Sequence, residues 1–153
     1  MGLRLALYEP DIPQNTGAAI RLCACLGAGL DVIEPCGFRW DIKKIRQSAM
    51  DYMDMLALTR HKSWDAFHEQ AQAQKRRCVL MTTRAATSYT DFEFRPDDIL
   101  IAGRESAGVP DHVHAICEGR VVIPMQPGLR SFNVITASAM ILGEALRQTR
   151  GFP

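Results

Sequence analysis

The sequence predicts an α/β fold: a single domain in which a largely parallel sheet is flanked by helices. Two observations carry that prediction. Strand-length apolar runs alternate with helix-length segments from end to end. Proline and glycine stand at many of the junctions, where the chain must turn. The composition agrees, since 153 residues, 47% hydrophobic and 23% charged, can bury one sizeable core and are too apolar for a disordered chain. The span 1–153 carries no repeat, low-complexity stretch or linker, so it reads as one domain.

Leu3–Tyr8 (LRLALY) is a short apolar run and reads as the first strand; Pro10 and Pro13 bracket a turn after it. Asn15–Leu26 is small and apolar with one charge, Arg21, and reads as a buried helix ending near Gly27 and Gly29. Leu30–Glu34 is the second strand, closed by Pro35 and Gly37. Asp41–Ala49 reads as a basic helical turn. Ser63–Gln74 reads as a helix, with Ser63 as N-cap and Trp64 and Phe67 at helical spacing. Cys78–Thr83 is a β-rich run, Ala85–Phe94 a loop, and Ile99–Ala102 a short buried strand. Pro110–Cys117 reads as a short helix with proline in its first turn. Val121–Ile123 reads as the last strand and Pro124–Phe132 as a loop. Val134–Arg147 is the clearest helix, with Val134, Ala137, Ile141, Leu142, Ala145 and Leu146 forming one apolar stripe.

Several function classes are disfavoured at once. The net charge of +1 lacks the basic excess that announces a nucleic-acid binder. The five cysteines (Cys23, Cys25, Cys36, Cys78, Cys117) are odd in number and form no C-x-x-C pair. They argue against a zinc ribbon, a redox motif or a disulfide framework, and read as reduced thiols in or near the core. His112 and His114 are two apart, off a common helical face, and read as surface or loop histidines, so no metal is expected. No apolar run has the length of a membrane span, and Met1–Glu9 has no signal-peptide pattern. The expected location is the cytoplasm.

In open α/β sheets, ligands bind beyond the carboxyl ends of the strands. Four predicted strand ends run into unusual segments: Glu9–Gly17 (EPDIPQNTG), Thr82–Thr83, Gly103–Pro110 (GRESAGVP) and Pro124–Asn133 (PMQPGLRSFN). Gly103 and Gly108 have the outer spacing of a P-loop, but Val109 and Pro110 stand where Lys and Ser/Thr are required, so phosphate cradling by that device fails. No G-x-G-x-x-G follows a strand. Composition and pattern therefore reach only a ligand-binding α/β domain.

The polar residues in these segments add two pairs of readings. Arg21, in an apolar helix, needs a partner; a salt bridge to Glu105 and a contact to an anion or ribose are both open. Asn133 follows Ser131 by two residues just before the last helix, and helix capping and ligand contact are both open. Basic clusters at Lys43–Lys44–Arg46, Arg60–Lys62 and Lys75–Arg76–Arg77 read either as solvated helix faces or as phosphate contacts.

Three segments together resemble the motifs of the SPOUT-class (TrmH/SpoU) RNA 2′-O-methyltransferases. They are PDIPQNTGAAIR (Pro10–Arg21), IAGRESAGVP (Ile101–Pro110) and VIPMQPGLRSFNVITA (Val122–Ala137). The resemblance covers essentially the whole chain, and order, spacing and strand contexts agree. Within that class the chain is similar to the tRNA (cytidine/uridine) 2′-O-methyltransferases that modify the wobble nucleotide. Asp51-Tyr52-Met53 falls where that group has Asp-Tyr and a bulky or aromatic residue; Arg104 stands where many relatives carry proline.

The resemblance implies an α/β domain with a deep C-terminal trefoil knot and no separate RNA-binding domain. It further implies a homodimer, S-adenosylmethionine as cofactor and the tRNA anticodon stem-loop as substrate, with no metal and no membrane. It assigns cofactor binding to Met81, Thr82, Gly103, Ile123, Met125, Leu129 and Ser131, largely through backbone groups. It assigns catalysis to Arg21, Asn15, Glu105 and Asn133. Arginine is effectively always protonated, so the implied role of Arg21 is to stabilise the developing 2′-alkoxide or to hold the adjacent phosphate. Asn15 would orient Arg21 or the ribose, Glu105 would pair with Arg21 or Asn133, and Ser131 and Asn133 would contact the cofactor carboxylate or the ribose. Three rivals stay open: another tRNA site or ribosomal RNA as target, a non-catalytic RNA-binding module on the same scaffold, and an unrelated small-molecule-binding domain.

Overall fold

In the computed structural model, which describes residues 2–49, 52–129 and 131–153, the apolar runs assemble into one six-stranded sheet. The strands are β1 (Arg4–Tyr8), β2 (Gly29–Ile33), β3 (Leu58–His61), β4 (Cys78–Met81), β5 (Ile99–Ala102) and β6 (Gly119–Val121). They lie in the order β3-β2-β1-β5-β4-β6 and every neighbouring pair is parallel. The helices are α1 (Pro13–Leu26), α2 (Ile42–Ala49), α3 (Trp64–Ala73), α4 (Asp111–Ile116) and α5 (Val134–Thr149).

Successive strand side chains point to opposite faces, so β1 feeds two cores. Leu5 and Leu7 join Ile20 of α1, Ile45 of α2 and Ile141 and Leu142 of α5 on one face. Ala6 and Tyr8 join Trp64 and Phe67 of α3 and Val113 of α4 on the other. Both faces being covered explains why the central strands read as nearly continuous apolar runs.

Most boundaries fall within a few residues of the sequence reading, and Ser63 does cap α3, its hydroxyl accepting from the Ala66 amide at 3.1 Å. Two differences have physical causes. β3 was not predicted because Leu58-Thr59-Arg60-His61 is an edge strand with only one apolar residue. The last strand ends at Val121 instead of beginning there; Gly119 and Arg120 give it no apolar signature, while Val122 makes only an isolated bridge to Ser88. From β6 at the sheet edge the chain returns to the centre, where α5 packs on β5 and α1.

A polar cluster ties three strands together. Arg4 Nε donates to Asp31 Oδ2 at 2.7 Å, and His61 Nε2 lies 2.8 Å from Asp31 Oδ1, with Asp31 and His61 both buried. Near the amino ends of β4 and β5, Arg77 forms a two-pronged pair with buried Asp98, and Arg76 donates to the Gly2 and Asp97 carbonyls. Cys23, Cys78 and Cys117 are buried, Cys36 is half-buried and Cys25 is exposed, all as free thiols. Among the described residues no helix is long and apolar enough to cross a membrane.

Candidate active site

A parallel sheet puts all its carboxyl ends on one edge. Here the chain runs β1-β2-β3 outward on one side and places β5, β4 and β6 on the other, so the switch point lies between β1 and β5. Beyond the ends of β4, β5 and β6 the loops enclose a cavity of about 810 Å³, within the usual range for small-molecule sites. Leu80, Val121, Ile123 and Ile141 supply apolar lining.

Local geometry shapes each loop. At the end of β1, Glu9 adopts φ 42°, an uncommon left-handed conformation outside glycine that redirects the chain into Pro10–Pro13. The β5 loop closes on itself: the amide of Arg104 donates to the Gly108 carbonyl at 3.0 Å and the reverse bond is 2.9 Å. Gly108 needs its φ of 62° for this turn, and a Cβ on Gly103 would stand 2.8 Å from Gly108 Cα. Arg104 Nε adds a third bond to the loop, donating to the same Gly108 carbonyl, and its guanidinium lies over Tyr8. The turn presents Glu105 and Ser106 to the β1 loop.

Three of the four residues assigned to catalysis meet there. Glu105 accepts from the Asn15 amide group at 3.2 Å and from the Asp11 backbone amide at 3.0 Å. Asn15 in turn accepts from Asn133 Nδ2 at 3.4 Å. All three motif segments are thus joined by one hydrogen-bond chain, and Asn15, Glu105 and Asn133 all line the cavity. Asn133 also caps α5, accepting from the Ile135 and Thr136 amides at 2.9 and 3.2 Å, so the capping and site readings hold together.

Two residues of this network escaped the sequence reading. Asp11 accepts from the Ser106 hydroxyl, while its Oδ1 is buried without a donor. Burial, then the adjacent Asp11 carboxyl, lifts Glu105 above the usual carboxylate range; Asp11 is held below it by Glu105 and by the Ser106 hydroxyl. Glu105 is therefore the weaker acid of the pair. The one signal the sequence holds for Asp11 is a carboxylate set between two prolines, Pro10 and Pro13.

Of the residues assigned to the cofactor, Met81, Thr82, Gly103, Ile123, Met125 and Ser131 line the cavity. Leu129 does not: its side chain is 70% exposed and it is absent from the lining. Arg130, within the same segment, lies outside the described residues, as does Asp51 of the Asp-Tyr-Met segment. Apolar walls alternate with hydroxyl groups and with the charged side chains of Arg84, Glu105 and Asp111, a lining that suits a ligand carrying both apolar and charged parts.

Arg21 is where the structure departs most from expectation. It is exposed on the outer face of α1, lies 5.7 Å from the Tyr52 ring centroid and does not line the cavity. Among the described residues it has no carboxylate partner, so neither the salt bridge to Glu105 nor the pairing with Asn15 forms within one chain. Burial was inferred from the apolar helix around it, but α1 turns only one side to the sheet; Cys25, one turn on, is exposed as well.

Comparison with known proteins matches this fold and site to one group. The SpoU rRNA Methylase family profile matches residues 2–143. A tRNA (cytidine(34)-2′-O)-methyltransferase of Beijerinckia indica subsp. indica is 58% identical over 144 residues, covering 94% of this chain and 90% of that protein. A solved structure described as giving insights into the 2-OH methylation of C/U34 on tRNA superposes with a TM-score of 0.90 at 36% identity, covering 95% of both chains. AviRb from Streptomyces viridochromogenes, a SpoU methyltransferase solved with AdoMet, superposes at 0.87 and 29% identity over 96% of this chain and 60% of its own. With the motif segments gathered at one cavity and the match running through nearly the whole fold, the chain belongs to the SpoU rRNA methylase family.

Proposed function

We propose that this chain transfers a methyl group from S-adenosylmethionine to the ribose 2′-hydroxyl of the wobble nucleotide of a tRNA, cytidine or uridine at position 34. The observation that carries this reading is the hydrogen-bond chain Glu105–Asn15–Asn133 on the wall of a cavity that also holds the six lining residues assigned to the cofactor. The 58% identity to a tRNA (cytidine(34)-2′-O)-methyltransferase names the substrate. We place the reaction in the cytoplasm, with the tRNA.

When bound, S-adenosylmethionine supplies an electrophilic methyl on a sulfonium; the protein supplies position and electrostatics. Met81, Thr82, Gly103, Ile123, Met125 and Ser131 would hold it. Asn15 and Asn133, ordered through Glu105, orient the ribose. Arg21 stabilises the developing alkoxide or holds the neighbouring phosphate. Since Arg21 stands outside its own cavity, that role requires a second copy, and we propose a homodimer in which each chain completes the other's site. The half-buried apolar residues Val134, Ile135, Ala137 and Met140 of α5, beside the half-buried Leu22 and Leu26 of α1, supply a face for it.

The test is methyl transfer from labelled S-adenosylmethionine to total tRNA from a strain lacking this protein, with mass spectrometry of the nucleosides. A new 2′-O-methylated cytidine or uridine in an anticodon loop is expected. Transfer to ribosomal RNA instead would move the substrate within the family. Cofactor binding or RNA binding with no transfer to either RNA would leave a non-catalytic module.

A further inference from the structure

The basic residues sort into two populations. At the amino edge of the sheet three arginines are consumed internally, Arg4 by Asp31, Arg77 by Asp98 and Arg76 by carbonyls, while Lys75 and Arg95 are exposed there, away from the candidate site. At the carboxyl edge, beside the candidate site, a group remains in excess. The loop from Glu34 to Asp41 is fixed against the β1 loop, since Gly37 donates to the Pro10 carbonyl at 2.9 Å and a Cβ on Gly37 would stand 2.5 Å from Asp11 Cβ. Asp11 in turn donates its amide to Glu105, so this surface is rigidly joined to the cavity wall.

The carboxylates of this region are already engaged. Glu34 pairs with Arg60, which lies 4.3 Å from the Trp40 ring centroid. Asp54 pairs with Arg46. Asp41 accepts from the backbone amides of Lys43 and Lys44 at 3.0 and 3.4 Å. Arg39, Lys43 and Lys44 are left exposed and, among the described residues, without a carboxylate partner. Lys43 and Lys44 also occupy the first turn of α2, where the helix dipole disfavours cations. Helix stability therefore does not account for them, whereas a polyanion does.

We infer that Arg39, Lys43 and Lys44 form the RNA-docking face, receiving the phosphodiester backbone of the substrate stem while the target nucleotide enters the cavity. This rests on the reading of tRNA as substrate. It assigns phosphate contact to the cluster at 43–44 and denies it to the cluster at 75–77.

Two double variants of the full chain, each removing two positive charges, test this. Lys43→Gln with Lys44→Gln alters the proposed face. Lys75→Gln with Arg95→Gln alters exposed positions at the opposite edge. The first is expected to raise the KM for tRNA about tenfold and to lower the slope of log(kcat/KM) against log salt by roughly 1.5. The S-adenosylmethionine Kd should stay at the wild-type value, which also reports an intact fold. The second should change KM and slope less than about twofold. Equal shifts in both variants, or wild-type KM and slope in the first, would overturn the assignment. A wild-type chain that methylates no tRNA would instead overturn the functional reading beneath it.

Discussion

Burial, and then the Asp11 carboxyl, hold Glu105 above the usual carboxylate range, while Glu105 and the Ser106 hydroxyl hold Asp11 below it, so the two make opposite demands on pH. A carboxyl raised above its ordinary value stabilises the fold fully below about pH 4, and that contribution is lost as pH rises through the raised value. A lowered carboxyl contributes above its ordinary value and loses its contribution as pH falls through the lowered one. Glu105→Gln mimics the protonated acid, so its melting temperature should gain on wild type as pH rises from about 5 to about 8. A difference that stays flat across that window would show that the Glu105 carboxyl is not raised. At this scale Asn15, Glu105 and Asn133 were legible through the motifs that contain them. Asp11 and Ser106 were not, because their contact joins loops 95 positions apart. Arg21 was misplaced because periodicity shows that a helix is apolar without showing which side of it is covered.

At the element scale, Asn133 both starts α5 and bridges to Asn15, and two substitutions separate these functions. Asn133→Ala removes the cap and should cost about 1 kcal/mol in urea unfolding. Asn133→Asp keeps an acceptor for the Ile135 and Thr136 amides, with a charge the helix N-terminus favours, but lacks the donor to Asn15. Stability near wild type with methyl transfer reduced as severely as in the alanine variant is the expected result; full transfer in Asn133→Asp would reduce the residue to a cap. In the β5 loop, Gly103→Ala sets a methyl against the Gly108 backbone, which cannot step aside as a side chain can. A loss of about 1–3 kcal/mol should appear in the same unfolding assay. The elements that announced themselves, α5 and the central strands, are those whose residues mostly face a core. β3 and β6 lie at the sheet edges, where half-exposed polar residues carry no periodic signal.

For the whole molecule, the separation of Arg21 from its own cavity predicts complementation. Arg21→Ala alone should lose transfer by orders of magnitude with little change in cofactor binding. Unfolded and refolded together with Asn15→Ala, it should regain roughly a quarter of wild-type activity, because random pairing makes half of the dimers mixed and each mixed dimer holds one complete site. No recovery, or a clean monomer by light scattering, would return Arg21 to a role within one chain. Wholly parallel sheets carry a hazard of their own. Strands that are nearly uniform apolar runs bury about as much oily surface in a shifted alignment as in the native one. The Arg4–Asp31–His61 cluster across β1, β2 and β3 removes that ambiguity. Slide any of the three strands by one residue, and the buried Asp31 carboxylate is separated from a partner that now faces the other side of the sheet. The sheet's polar centre thus works as proofreading during assembly, rejecting mispaired chains that hydrophobicity alone would accept.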